Sequence, residues 1–214
     1  TPHSAVFQPM TRLLGLRRSH QFGSFVCSRL VADKMDPIWG ATTNAITKQG
    51  CNMTISVGDK LPDAMLVRLG ADGPEGVSVS TLTEGRTVVI FAVPGAYTGT
   101  CTTAHVPSFI RTKDTFKERG VEEIICVSVN DPFVMGAWGE MTGATEAGIT
   151  MVGDPESAFT KAMGMEFSAP PAGLIDRSKR YAMLVIDGEV KVLNEEENPG
   201  LCEVSAGEGL LEDM

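Results

Sequence analysis

The chain has 214 residues, 43% of them hydrophobic, which suits one core-bearing domain with an extension. No apolar run reaches the roughly 18 residues a membrane-spanning helix needs, so none is expected. The formal charge of −9 is uneven, since residues 1–50 carry six Lys/Arg and two acids (net +4) and residues 51–214 carry 12 and 25 (net −13); so acidic a body argues against nucleic-acid binding.

Residues 1–53 read as an N-terminal extension and residues 54–214 as the folded domain. Residues 1–32 hold no Asp or Glu but four Arg and four Ser, the composition of an organellar transit peptide. Within them Met10–Arg18 suits a short amphipathic helix with Leu13, Leu14 and Leu16 apolar. A mitochondrial address is the first expectation, with cytoplasm and plastid as alternatives. Asn52-Met53-Thr54 matches a glycosylation sequon, but no secretory signal accompanies it.

The domain opens on the turn-rich Val57–Asp63. Short strands are expected at 64–69 and 77–79. Thr87–Val93 is nearly all apolar, the pattern of a strand covered on both faces. A helix is expected over 104–119, with Val106, Phe109, Ile110 and Phe116 as its stripe and Gly120 as its stop. Glu123–Val129 is a second buried strand. Asn130-Asp131-Pro132 signals a helix running to about Met141, and Asp154-Pro155-Glu156 repeats the signal for 155–163. Arg180–Asp187 and Glu189–Leu193 flank Gly188 as a hairpin. A last helix over 205–213 is weakened by Gly207 and Gly209. Strands alternating with helices, then a late hairpin, predict an α/β sheet covered on both faces.

The five cysteines, Cys27, Cys51, Cys101, Cys126 and Cys202, are odd in number and widely spaced. They form no CxxC, and with His3, His20 and His105 they give no zinc pattern. Cys101 follows the loop Pro94–Thr100 at a strand-to-helix junction, where unpaired N–H groups and the helix dipole favour a thiolate. A free thiol ionises near pH 8.5, and a helix terminus contributes only about 0.3–1 kcal/mol. A reactive Cys101 therefore needs a cation, and Arg177 and Arg180 at the start of the late hairpin are the candidates. His105, four residues on, faces the same side of a helix, so a Cys/His thiol hydrolase is a competing reading. Cys126 on its strand is open to a core or a redox role, and Cys202, in the turn-rich segment Asn198–Cys202, suits a resolving role better than a thiol in a sheet.

Pro94-x-x-x-Thr98-x-x-Cys101 resembles the active-site motif of peroxiredoxins. The strings VPGAYTGTCTTAHVPSF, GVEEIICVSVNDPFVMGAW and RSKRYAMLV look like the peroxiredoxin-5 or plant type II subfamily, over residues 54–214. The resemblance implies a thioredoxin-like fold, a central mixed sheet with helices on both faces. It implies a thiol peroxidase that needs no metal or organic cofactor, acts on hydrogen peroxide and organic hydroperoxides, is recycled by thioredoxin or glutaredoxin and is built as a homodimer; a slow-turnover peroxide sensor using the same oxidation is the competing reading. Cys101 matches the peroxidatic cysteine, Thr98 the hydroxyl beside it, Pro94 the residue shielding it and Arg180 the arginine completing the site. Cys202 resembles the resolving cysteine of animal-type members, and Cys126 the one used by some plant-type members. Gly99 stands where the family usually has Pro.

Overall fold

The computed structural model describes residues 54–214. The transit-peptide-like segment with its helix at Met10–Arg18, Cys27, Cys51 and the sequon's Asn52 lie outside the described residues. β1 (Met65–Gly70) and β2 (Gly73–Ser78) form a hairpin, and Ser78 then caps α1 (Val79–Thr83) by accepting the Thr81 N–H at 3.1 Å. The strand expected at 77–79 therefore ends at Ser78, because a capping hydroxyl turns the chain into a helix there. β3 (Thr87–Val93) is followed by a π turn, Cys101–His105, and by α2 (Val106–Glu118). Next come β4 (Glu123–Ser128), α3 (Pro132–Thr142), β5 (Thr150–Gly153), α4 (Ala158–Ala162), β6 (Glu166–Ala169) and β7 (Leu174–Ser178). β8 (Tyr181–Ile186), β9 (Glu189–Glu195) and α5 (Gly207–Glu212) complete the chain.

Seven strands form one mixed sheet in the order β2-β1-β5-β4-β3-β8-β9, and β6 and β7 form a separate ribbon. β3 runs parallel to β4 and antiparallel to β8. Its apolar run is explained by shelter on both sides. Val88, Ile90 and Ala92 face one core with Val79 and Leu82 of α1 and Phe159 of α4. Val89, Phe91 and Val93 face the other with Phe109 and Phe116 of α2, Met135 and Trp138 of α3 and Leu210 of α5. This alternation is the period-2 geometry of a strand read on two covered faces.

Three local outcomes differ from the sequence reading. The expected helix at 155–163 begins later, at Ala158, because the buried Asp154 carboxylate accepts the Phe159 and Thr160 N–H groups (3.3 and 2.8 Å) from a preceding turn. β5, β6 and β7 had no strand signal, and β5 is held by pairing with β4, Cys126 lying opposite Met151. The glycines of α5 do not loosen it. A Cβ on Gly207 would overlap Thr112 Oγ1 of α2, and the Gly207 N–H donates to Ser108 Oγ at 2.9 Å. Glycine is the residue that lets α5 lie this close to α2.

Candidate active site

The antiparallel register of β3 and β8 sets Ala92 opposite Tyr181. Arg180, one residue before Tyr181, thereby sits at the end of β3 where the loop Pro94–Thr100 begins. Gly99 and Thr100 are already helical, and the Thr102 N–H donates to Thr98 O at 3.0 Å. Among the described residues, the N–H groups of Thr100 and Cys101 carry no hydrogen bond, as expected at a helix start. The helix then widens into the π turn, in which the Val106 N–H bonds to Cys101 O. Such insertions often mark functional positions.

Cys101, His105 and Arg180 are all buried. Arg180 Nη2 donates to Cys101 Sγ at 3.3 Å and to Pro199 O at 2.9 Å. Arg180 Nε also reaches Pro199 O, at 3.2 Å, and Nη1 lies 3.0 Å from His105 Nδ1. Arg180 can only donate, so Nδ1 accepts; His105 Nε2 then carries the proton and donates to Ser205 O at 2.9 Å. The imidazole is neutral. Burial, and the Arg180 charge after it, depress its pKa to about 3, against the opposing pull of the Ser205 carbonyl. With Nδ1 occupied by a cation, His105 has no lone pair to take a proton from Cys101. The geometry therefore does not support the hydrolase pair, and it makes His105 a holder of Arg180.

Arg177, the other candidate cation, donates instead to Val129 O at 2.9 Å and lies beside Gly95, propping the loop. Pro94 is buried, and Thr98 Oγ1 donates to Gly95 O at 2.8 Å, leaving its lone pairs free. A cleft of about 290 Å³ beside the site is lined by Pro94, Thr98 and Arg180 together with Phe167, Leu174 and Pro199, and Cys101 lies buried next to Arg180 rather than in its lining. Phe167 and Leu174 come from the β6–β7 ribbon, which the sequence did not reveal. A Cβ added at Gly99 would meet nothing within 4 Å, so crowding at the Cβ position does not account for the glycine.

The two other cysteines are placed very differently. Cys126 is buried within β4 opposite Phe91 of β3, and burial, then negative charge on Cys101, raises its pKa well above the ordinary thiol range. Cys126 shares the core on the α2 face of the sheet with Cys101. Cys202 is half-buried in the irregular segment after β9, a segment tied to the helix start by Thr100 Oγ1 donating to Gly200 O at 3.0 Å. Burial pushes its pKa up to about 11, with Arg180 opposing and with Glu196 and Cys101 adding to the rise. Glu196, also unforeseen, is a buried carboxylate in the same segment. Burial opposes its charge, but donation from the Ser205 and Glu203 N–H groups and the Ser205 hydroxyl, with Arg180 nearby, leaves its pKa lowered.

Among the described residues no helix is long and apolar enough to cross a membrane, and no cluster of three or more His, Cys, Asp or Glu is placed to hold a metal ion. The profile of the Redoxin family matches residues 56–211. A chloroplastic peroxiredoxin-2E-2 of Oryza sativa subsp. japonica is 49% identical over 161 residues, covering 73% of this chain and 72% of that protein. A mitochondrial peroxiredoxin-2F of Arabidopsis thaliana is 43% identical over 144 residues, covering 64% of this chain and 71% of that protein. The crystal structure of reduced Prx3 from Vibrio vulnificus in complex with hydrogen peroxide superposes with a TM-score of 0.70 at 43% identity, over 75% of this chain and 99% of that one.

Proposed function

The chain belongs to the redoxin family and, within it, to the peroxiredoxins, so it is a thiol peroxidase; we propose that it reduces hydrogen peroxide and organic hydroperoxides at Cys101 and is recycled by thioredoxin or glutaredoxin. The observation that carries this reading is the guanidinium of Arg180, which donates to Cys101 Sγ at 3.3 Å and also lines an open cleft. In this reading the Cys101 thiolate attacks the outer oxygen of the hydroperoxide. An S–O bond forms, the O–O bond breaks, and the departing oxygen takes up a proton to leave as water or an alcohol. Arg180 and the free N–H groups of Thr100 and Cys101 stabilise the charge that builds on the oxygens, while the Thr98 hydroxyl, its proton held by Gly95 O, offers a lone pair to the hydroperoxide O–H. The product is a sulfenic acid on Cys101.

The apolar walls, Phe167 and Leu174, suit the carbon chain of an organic hydroperoxide. Cys202 is the favoured resolving thiol over Cys126, because it lies half-exposed on an irregular segment instead of within a paired strand. The bridge it forms is then opened by thiol–disulfide exchange with the external dithiol. Large exposed side chains at Tyr97 and Phe133, on segments joined by the Ala96 N–H donating to Asn130 Oδ1 at 3.0 Å, support a homodimer, which light scattering would test. Residues 1–53, read as an extension, and relatives named chloroplastic and mitochondrial support an organellar address. Import of residues 1–53 fused to a fluorescent reporter, into isolated chloroplasts and mitochondria, decides between the two.

The deciding experiment is Cys101→Ser. It is expected to fold with an unchanged near-ultraviolet spectrum and to consume no peroxide with either donor. Full turnover in that variant would overturn the assignment.

A further inference from the structure

A carboxylate buried to 6% exposure, with the Arg180 charge nearby but no ion pair of its own, costs free energy unless its oxygens are well used. Glu196 spends one oxygen on a single stretch of chain. Its Oε1 accepts the Glu203 N–H at 2.6 Å, the Ser205 N–H at 2.9 Å and the Ser205 hydroxyl at 2.9 Å. Glu203 is the residue after Cys202. On the other side of Cys202, Pro199 O is held by Arg180 and Gly200 O by Thr100. Ser205 O is held by His105. Cys202 is thus slung between two fixed points, one attached to the Cys101 helix start and to Arg180, the other to Glu196. Glu196 is itself anchored, its N–H donating to Arg180 O at 3.0 Å.

We propose that Glu196 is a positioning residue for the second half of the cycle: by gripping the chain just beyond Cys202 it keeps that thiol on a short tether to Cys101. This rests on the assignment of Cys202 as the resolving thiol. The step it serves is Cys101–S–OH plus Cys202–SH giving Cys101–S–S–Cys202 and water. The S–O bond breaks, the S–S bond forms, and the thiol proton leaves with the hydroxyl; no outside oxidant is needed. Without the grip, residues 201–206 sample more conformations, and the intramolecular reaction loses the advantage of proximity.

The test follows both half-reactions in Glu196→Ala and Glu196→Gln by rapid quenching, alkylation and mass spectrometry after one equivalent and then an excess of hydrogen peroxide. In Glu196→Ala, oxidation of Cys101 is expected to keep its rate within about twofold. The Cys101–Cys202 bridge is expected to form at least about tenfold more slowly, and Cys101 sulfinic acid to accumulate at correspondingly lower peroxide. Glu196→Gln keeps an oxygen acceptor and is expected to restore most of the bridge rate, which a loss through general loosening would not predict. If Glu196→Ala does not fold, Ser205→Ala removes one of the three donors and is expected to slow bridging alone, by about two- to threefold. A bridge rate unchanged or raised, or a first step slowed as much as the second, overturns the proposal. If the unmodified protein forms no Cys101–Cys202 peptide at all, the assignment of Cys202 falls, and this proposal with it.

Discussion

Arg180 is a single buried cation serving three acceptors: a sulfur, a ring nitrogen and a backbone carbonyl. A lysine would carry the same charge on one nitrogen and could not hold the three at once. Arg180→Lys is therefore expected to lower the second-order rate constant with hydrogen peroxide by roughly 10²–10³-fold, the usual cost of losing a preorganised donor. It is also expected to cost about 1–3 kcal/mol of stability, because Pro199 O or His105 Nδ1 is left unpaired. Competition kinetics and urea unfolding measure the two separately. The requirement for a cation was legible in the sequence, since a helix terminus is too weak to ionise a thiol alone. Arg180 itself was legible through its place in RSKRYAMLV. Pro199 and Ser205 were not, because they act through backbone carbonyls, and a carbonyl leaves no mark in the residue type. Glu196 is the middle of three consecutive glutamates, and only the Ser205 N–H and hydroxyl folded back onto it set it apart from its neighbours.

The elements that could be read in advance were those whose signal is local. β3 and β4 announced themselves by continuous apolar runs, α3 by Asp131, whose carboxylate accepts the Phe133 and Val134 N–H groups at 3.0 Å. The β8–β9 hairpin turns through Asp187 and Gly188, both at positive φ (50° and 70°). β5, only four residues long, and the β6–β7 ribbon exist through their partners, so their sequences carry little of their own. α5 misled in the opposite direction: its glycines are poor helix formers, yet close approach to α2 demands Gly207 and the Glu203 and Val204 carbonyls demand Gly209. Gly207→Ala tests which effect wins. Helix propensity alone predicts a gain of about 1 kcal/mol. The overlap with Thr112 Oγ1 and Ser108 O predicts instead a net loss of roughly 1–3 kcal/mol, read as a lowered urea midpoint at constant slope, and faster proteolysis after residue 196.

At the scale of the whole molecule, the sheet brings three distant segments to the end of β3: the Cys101 helix start, the first residue before β8, and the segment after β9. His105 is bonded to the last two, through Arg180 and Ser205, so its protonation bears on the entire fold. Its folded pKa, about 3, lies below its unfolded value of 6.5. Above pH 6.5 neither state binds the proton and the native contacts are intact. As pH falls below 6.5 the unfolded chain takes up a proton that the native protein refuses, and stability declines until the folded pKa is reached. Each pH unit in this window costs about 1.4 kcal/mol, so about 2 kcal/mol is expected to be lost between pH 6.5 and 5. The lowered carboxylates, Glu196 among them, act in the same direction but only nearer their own unfolded range, below about pH 5. The upper half of the acid limb is thus assigned to one imidazole, His105 being the only histidine among the described residues. Urea unfolding of the whole chain at half-unit steps from pH 7.5 to 5 is expected to show this slope. His105→Gln, which cannot titrate, is expected to start from a lower plateau and to show a nearly flat profile. An equal slope in that variant would locate the proton uptake elsewhere and leave the buried His105–Arg180 bond without a thermodynamic signature.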